Sequence, residues 1–518
     1  MTADKQKRGH LGNSFRSLNI SMTISLAGLL YGLDTGIIAS SIAQNTFTEF
    51  FFGGAKNSAV INGGIICGYY AGSCVGSGIS GWCMDRLSRR WSILLGSFFS
   101  IIGAIIQALA QNVAMMIIGR AFSGFSTGMV YSVAPVYLSE LAPPENRGFL
   151  VGLKGWMNTI GYLLAGWLGY AGTFAVGNLQ WRIPLAMQAP PAVLLAVLCF
   201  MLPYSPRWLI MRERYDDAKK VMYYIHEHRG LEFIEHEYSE MYSQIRLEFT
   251  SKHKSPIMTL FTRQYMRRTL LGCLIVNMAK LSGSNVIQNY QSIMYKNLGY
   301  EGRTVLLITA LYGFMAVIGQ TISIFTVSDH WPRRRTVLYG LSSVLFSLVV
   351  LTPLSKQFAD GTNPNGSRAG VAFIFIFAFF WAFFFNSAIW VIVSEIFPLE
   401  LRATGVGFSM FTQSVTAIWL SFAASIAFDK IQWRFYFVFI ATNLFAFVAF
   451  YIWLPETNQL TLEEIAAKFG DVVSEPVGKA LDEVEGGENH QTSTIDGVSG
   501  DTKSGSIEHV ERSEEHKS

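Results

Sequence analysis

Long apolar stretches separated by short charged loops recur through most of this 518-residue chain. A helix needs about 20 apolar residues to cross roughly 30 Å of hydrocarbon. Because lipid offers the backbone no hydrogen-bonding partners, stretches that cross it fold as helices. The sequence therefore predicts an all-α membrane protein with twelve transmembrane helices, at about 20–42, 60–83, 91–110, 113–138, 149–175, 183–203, 269–290, 304–327, 336–354, 370–394, 403–428 and 434–454.

The composition excludes several classes of soluble protein. Only 15% of the residues are charged, against about 25% in an average soluble protein. The net charge of +4 is too small and too scattered for a nucleic-acid-binding face. The five cysteines lie inside apolar stretches and the histidines in loops or tails, so we expect no disulfide framework, no metal and no cofactor.

Internal repeats divide the chain into two six-helix halves. The segment SELAPPENR at 139–147 recurs as SEIFPLELR at 394–402, and DRLSRR at 85–90 recurs as DHWPRR at 329–334. Repeated bundles that rock about a central site are typical of transporters. The predicted organisation is a cytoplasmic N-terminus (1–19), an N-terminal six-helix bundle (20–206), a cytoplasmic linker with short helices (207–268), a C-terminal six-helix bundle (269–455) and an acidic, largely disordered cytoplasmic tail (456–518).

The distribution of Lys and Arg over the loops sets the orientation. It places both termini in the cytoplasm. The sequence Asn365-Gly366-Ser367 is a glycosylation signal on the outer loop between spans nine and ten, which predicts a glycan on Asn365. We expect a multi-pass protein of the plasma membrane that functions in the lipid bilayer as a monomer.

Two ionisable residues lie at matching depth in different spans. Asp34 in span one and Arg120 in span four are each a few helical turns below the outer surface. Charged residues within spans are costly and mark functional sites. If the guanidinium approaches and withdraws as the halves rock, Asp34 binds a proton on one side and releases it on the other. The alternative is a static ion pair that joins two helices.

Two lysines also lie within spans. Lys280 is close to the middle of span seven, with no acidic residue near it in sequence. Lys154 is near the cytoplasmic end of span five, so its amine either contributes to a central site or reaches back to the membrane surface.

Several motifs resemble those of the sugar porter family of the major facilitator superfamily. They are GWCMDRLSRR at 81–90, PVYLSE at 135–140, SPRWL at 205–209, SEIFP at 394–398 and PET at 455–457, and the resemblance extends from span one to Ile465. Ser88 stands where the family usually has glycine. The resemblance implies the major facilitator fold, and its proton-coupled members have Asp and Arg at the positions of Asp34 and Arg120.

The resemblance also implies a gate of charged residues at the cytoplasmic ends of the spans. Its members would include the acid–base pairs Glu140 with Arg147 and Glu395 with Arg402. A purely topogenic role of the arginines is the alternative. The complete set is Asp85, Arg89, Arg90, Glu140, Arg147, Asp329, Arg333, Arg334, Glu395 and Arg402.

The cavity departs from the family where sugars are bound. Lys154-Gly155 stands where a glutamine is common, Lys280 replaces one of two glutamines, and a Gly-Pro-x-Pro-Trp motif is reduced to its tryptophan. A mid-membrane ammonium favours a carboxylate over a neutral hydroxyl. The candidate substrate-binding residues are Lys154, Gly155, Lys280, Asn285, Tyr290, Asn386 and Trp390.

The sequence thus predicts a proton-coupled secondary active transporter for a sugar-like or related small polar molecule, with a carboxylate among the candidates. An exporter of a fungal secondary metabolite on the same fold is one alternative. A transporter-derived nutrient sensor that signals through the tail is another. The loops contain no combination of nucleophile, base and metal ligands of the kind that would indicate an enzyme.

Overall fold

The computed structural model describes residues 15–53, 58–142, 147–226, 230–250, 256–328, 330–358 and 363–458, with a few residues up to 469. All of them belong to one compact unit, residues 1–473. Within these ranges the regular elements are helical: α1 (Phe15–Ala43), α2 (Asn45–Phe52), α3 (Ser58–Leu87), α4 (Arg89–Ala108), α5 (Val113–Leu141), α6 (Arg147–Gly172), α7 (Leu179–Ala186), α8 (Ala189–Cys199), α9 (Pro206–Met211), α10 (Tyr215–His226), α11 (Leu231–Thr250), α12 (Pro256–Thr259), α13 (Arg263–Leu281), α14 (Ser284–Asn297), α15 (Arg303–Thr326), α16 (Arg333–Gln357), α17 (Pro364–Ile396), α18 (Leu399–Lys430), a short 3-10 helix (Gln432–Phe435) and α19 (Tyr436–Trp453).

Twelve membrane spans can be assigned to these helices. Ten segments of the described chain are long and apolar enough to cross a bilayer, with α7–α8 and α13–α14 each counted as one. The other two spans are α3 and α6, with 30 and 26 residues, whose many glycines lower their hydropathy. The predicted all-α class and twelve-helix fold are confirmed.

The helices pair in a pattern that repeats between the halves. In the first half α1 packs against α6 and α3 against α5. In the second half α13 packs against α18 and α15 against α17. The halves meet along α3 with α18 and along α6 with α15, which are equivalent interfaces under the repeat. The internal repetition of the sequence is therefore a repetition of packing.

Glycines permit the closest of these contacts. A methyl group added at Gly32 of α1 would overlap the backbone carbonyl of Asn158 in α6. One added at Gly72 of α3 would overlap the carbonyl of Ala121 in α5. Small residues let membrane helices approach each other at backbone distance, and here they bring polar groups of neighbouring spans together.

Span seven is broken, where the sequence predicts one helix at 269–290. The chain leaves α13 at Leu281 and restarts as α14 at Ser284, because Gly283 adopts a positive φ of 97°. The break lies beside the polar centre described below. By contrast α17 runs uninterrupted from Pro364 to Ile396, as expected for a tenth span that lacks the two family prolines.

The linker between the halves forms short helices with an apolar core of their own. α9, α10 and α11 pack together around a set of buried side chains: Leu209, Ile210, Ala218, Met222, Ile234, Met241 and Ile245. On the exposed side of α10, Arg214 donates to Asp217 at 2.6 Å and lowers the pKa of that carboxyl group. α13 begins at Arg263, so the last residues of the predicted linker belong to span seven.

Ser88 adopts a backbone conformation that suits glycine. It precedes α4 with φ 80° and ψ 164°, is 1% exposed, and its hydroxyl has no partner among the described residues. We expect Ser88→Gly to raise the free energy of unfolding by about 1 kcal/mol, after allowing for the larger backbone entropy of glycine in the unfolded chain. Thermal unfolding of the purified protein in detergent measures this. Ser97→Gly, inside α4, is the control and should destabilise; a lower melting temperature for Ser88→Gly contradicts the argument.

Candidate substrate and proton site

Asp34 and Arg120 meet in the first half, as their depths predict, but through the backbone. Both residues are 1% exposed. The guanidinium donates to the backbone carbonyl oxygen of Asp34 at 3.0 Å and lies 4.4 Å from the centre of the Tyr69 ring. The carboxyl group accepts from Thr127 at 3.0 Å through Oδ2, while Oδ1 has no hydrogen-bonding partner among the described residues.

This geometry differs from the direct ion pair that was expected. A buried carboxylate oxygen without a donor is costly. The cost falls when the carboxyl group carries a proton. The guanidinium nevertheless binds the backbone of the same residue, so the two charged groups are neighbours without an ion pair between them.

Lys154 is fully buried at the interface of the halves. Its ammonium lies 3.3 Å from the centre of the Tyr131 ring and 3.8 Å from that of Trp390. It also donates to the backbone carbonyl of Tyr131 at 3.3 Å. In a regular helix that carbonyl would accept a hydrogen bond from the backbone N–H four residues later. That residue is Pro135, which has no N–H, so the carbonyl is available to Lys154. The prediction that Lys154 reaches back to the membrane surface is therefore wrong.

Lys280 lies in the last turn of α13, immediately before the break in span seven. Its ammonium contacts the hydroxyl of Tyr31 in α1 at 2.5 Å and lies 5.3 and 5.5 Å from the ring centres of Tyr31 and Tyr70. The rings of Tyr31 and Tyr131 stack at 4.1 Å. The two lysines thus lie at the two ends of a stacked tyrosine pair. We call Lys154, Tyr131, Tyr31 and Lys280 the lysine–tyrosine column.

The remaining candidate binding residues lie in a network of hydrogen-bonded amides. Asn285 accepts from Tyr70 at 2.5 Å and donates to Ser421 at 2.9 Å, while Tyr290 donates to the Ser421 carbonyl at 2.8 Å. Asn386 donates to the Gly155 carbonyl at 2.8 Å. These contacts join helices of both halves.

Gly155 fits this network because it lacks a side chain. A Cβ there would lie 2.9 Å from the carbonyl oxygen of Asn386, so a larger residue would push α6 away from α17. Trp390 contacts the edge of Tyr131 with ring centres 4.6 Å apart. Both residues therefore fix the distance between the halves at the level of Lys154.

Several residues of this centre were not singled out from the sequence. Asn158 donates to Asn386 at 3.0 Å and Gln320 to Ser387 at 2.5 Å. The signal that could have found them is helical spacing: Asn158 is one turn beyond Lys154, and Tyr31 is one turn before Asp34. The full set of missed residues is Tyr31, Tyr70, Tyr131, Asn158, Asn289, Gln291 and Gln320.

At the end of the first half that is predicted to face the cytoplasm, Glu140 binds different partners from those expected. It pairs with Arg89 at 2.7 Å and accepts from Ser205 at 2.6 Å. The predicted pair with Arg147 is wrong. Arg90 donates to the carbonyls of Leu202 and Phe200, which ties the end of span six to the start of span three.

The second half repeats this arrangement. Glu395 accepts from Thr457 at 2.9 Å, as Glu140 does from Ser205. Arg333 and Arg334 donate to backbone carbonyls of Ser328 and Tyr451, as Arg89 and Arg90 do to those of Met84 and Leu202. Asp329 lies outside the described residues.

Among the residues that the structure describes, an ion pair joins the two halves. Arg147 of α6 lies 3.6 Å from Glu395 of α17, and both side chains are buried. The expected pair of Glu395 with Arg402 is wrong; Arg402 donates to the Phe397 carbonyl instead of to that carboxylate. This bridge joins the same end of the two halves.

The other predicted positions lie outside the centre. Asp85 accepts from Arg212 and Trp208 of the linker through its backbone carbonyl. Asn365 is exposed in the first turn of α17. Within the described ranges, no group of three or more His, Cys, Asp or Glu side chains could hold a metal ion.

Comparison with known proteins gives a consistent family. The model of the family described as sugar (and other) transporter matches residues 20–469. The MFS-type transporter criB of Aspergillus cristatus is 33% identical over 456 residues, which cover 88% of this chain and 93% of that protein. The arabinose-proton symporter of Escherichia coli K12 is 30% identical over 457 residues, 87% of this chain and 92% of that protein.

Solved structures show the same fold. The proton:xylose symporter XylE bound to 6-bromo-6-deoxy-D-glucose superposes with a TM-score of 0.78 at 21% sequence identity. The match covers 88% of this chain and 100% of that one.

Proposed function

We propose, on the premise that this chain belongs to the sugar porter family of the major facilitator superfamily, that it is a proton-coupled secondary active transporter working by alternating access. Its cargo is a small polar organic molecule. The observation that carries the proposal is a buried polar centre whose hydrogen bonds run between the two halves. Such a centre can be exposed to either side by rocking the halves without unfolding either of them.

Alternating access requires contacts that break on each side in turn. On the cytoplasmic side, the bridge between Arg147 and Glu395 holds the halves together. Nearer the outer side, Tyr162 of α6 donates to the carbonyl of Gln288 in α14 at 2.8 Å and accepts from Gln291 at 2.6 Å. The remaining cytoplasmic charges act as the gate that stabilises the closed arrangement.

We assign the proton-coupling role to Asp34. The guanidinium of Arg120 is the group that responds electrostatically to the charge of Asp34. Thr127 and the guanidinium both contact Asp34, and both belong to α5. A change in protonation therefore alters how α1 packs against α5. This supports a coupling between proton binding and movement of the first half.

We further propose that the protein resides in the plasma membrane with both termini in the cytoplasm and works as a monomer. The exposure of Asn365 supports glycosylation of the outer loop. The segments 20–206 and 269–455 act as the two moving bundles and 207–268 as their tether.

Transport by reconstituted protein tests this function. In liposomes with a gradient of two pH units, at least one labelled hexose, polyol or carboxylate should accumulate up to about 100-fold with one coupled proton, because each pH unit supplies about 1.4 kcal/mol. A protonophore should abolish the accumulation. The sign of the gradient that drives flux distinguishes symport from antiport. Accumulation equal to that of protein-free liposomes for every compound contradicts the proposal.

A further inference from the structure

We propose that the transported molecule is an organic anion whose carboxylate group binds Lys280, within the positive field that Lys154 adds from the other end of the lysine–tyrosine column. The inference rests on the proposed transport function and names its substrate class.

The first argument is the absence of a counter-ion. Lys154 is 0% exposed and Lys280 6%. Their partners among the described residues are aromatic rings, one tyrosine hydroxyl and one backbone carbonyl, with no carboxylate within 4 Å of either ammonium. A buried ion without an opposite charge is strongly disfavoured. An anionic cargo supplies the charge that the protein lacks.

The second argument is that the two lysines are held differently. Lys154 is fixed by two ring faces and by the carbonyl that Pro135 frees. Lys280 has one short hydrogen bond, to the hydroxyl of Tyr31, and its rings are more than 5 Å away. A hydroxyl is readily exchanged for a carboxylate, which forms a stronger, charge-assisted bond. Lys280 is therefore the group that contacts the cargo.

The third argument is that the amides around the broken span and around Asn386 already bind protein groups. Asn285, Asn289 and Tyr70 bind one another, and Asn158 binds Asn386. A neutral sugar would have to replace these bonds one by one. A carboxylate gains its main interaction from an ammonium without breaking an amide pair.

The charge balance of the cycle follows. In symport, one monoanion and one proton on Asp34 move together with no net charge, whereas a neutral sugar with one proton moves one positive charge. Flux of the natural class of substrate should therefore respond to the pH gradient and be unaffected by a potassium–valinomycin potential.

Matched probes test this directly in liposomes. D-glucuronate is compared with D-glucose, and 3,4-dihydroxybenzoate with 3,4-dihydroxybenzyl alcohol, since each acid differs from its alcohol at one carbon. We expect at least one acid to be transported at least tenfold faster than its alcohol and without charge movement. Flux of the alcohols alone, or acid flux no faster than alcohol flux, overturns the anionic substrate and leaves the transporter standing. No flux of these probes overturns the inference, and no flux of any compound in the wider panel of hexoses, polyols and carboxylates overturns both proposals.

Variants of Lys280 separate binding from a structural role. Lys280→Gln should lower kcat/KM for the acid by about 10- to 100-fold, the loss expected for a hydrogen bond to a charged group. It should change alcohol flux by less than threefold, and Lys280→Arg should restore most of the acid flux. Lys296→Gln, exposed at the end of α14, is the matched control. Equal loss for acid and alcohol shows a structural role and contradicts the inference.

Discussion

We expect Asp34→Asn to abolish uphill accumulation of the substrate, while exchange of substrate across the membrane continues. The amide has nearly the shape of the carboxyl group and still accepts from Thr127, so packing is kept. It cannot bind and release a proton. With two pH units of driving force, the accumulation ratio should fall from up to about 100 to about 1.

Counterflow in preloaded liposomes measures the exchange that should survive, within a few-fold of the unchanged protein. Asp217→Asn is the control, because Asp217 is an exposed carboxylate of the linker whose ion pairs in the described part of the chain are with Arg214 and Lys220, close to it in sequence. Undiminished accumulation of substrate by the Asp34→Asn variant would contradict the proton-coupling role of this residue.

We expect Glu395→Gln to favour opening of the proposed cytoplasmic gate. Removing one member of a buried ion pair costs about 3–5 kcal/mol. That cost falls on the closed arrangement, because the substitution removes the carboxylate that Arg147 pairs with across the halves. The ratio of open to closed cytoplasmic gates should rise by two to three orders of magnitude.

Opening of the gate can be measured by alkylation of a single cysteine introduced by Ser394→Cys, in a chain whose five native cysteines are replaced by alanine. An impermeant maleimide added from the cytoplasmic side should react faster in the Glu395→Gln variant. The free-energy cost to the closed gate in the double variant with Arg147→Gln should be less than the sum of the costs in the two single variants, because the two residues act as a pair. Breaking the exposed pair of Arg214 and Asp217 should leave the rate unchanged. Additive effects of the two gate substitutions argue against the bridge.

The fold follows closely from the sequence. Apolar stretches of bilayer length must form helices in lipid, whatever their neighbours. The repeated motifs predicted two equivalent halves, and the equivalent contacts of Glu140 with Ser205 and of Glu395 with Thr457 reflect that repeat.

The contact partners of the charged residues could be predicted less well from the sequence. Arg147 is near Glu140 in sequence, yet its ion pair is with Glu395 in the other half. Depth along a helix predicted that Arg120 would reach Asp34. It did not predict that the guanidinium would bind the backbone, since that depends on the rotation of α1 and α5 about their axes.

The sequence by itself determined the lipid environment, the number of spans, their repeat and the presence of uncompensated charge inside them. These are properties of single segments, and hydrophobic length and desolvation act on each segment separately. Only the tertiary structure decided that Lys154 lies between two aromatic rings and beside a carbonyl freed by a proline of another helix. Those partners are brought together by packing between helices far apart in sequence, and periodicity along one segment carries no information about the direction its neighbours face.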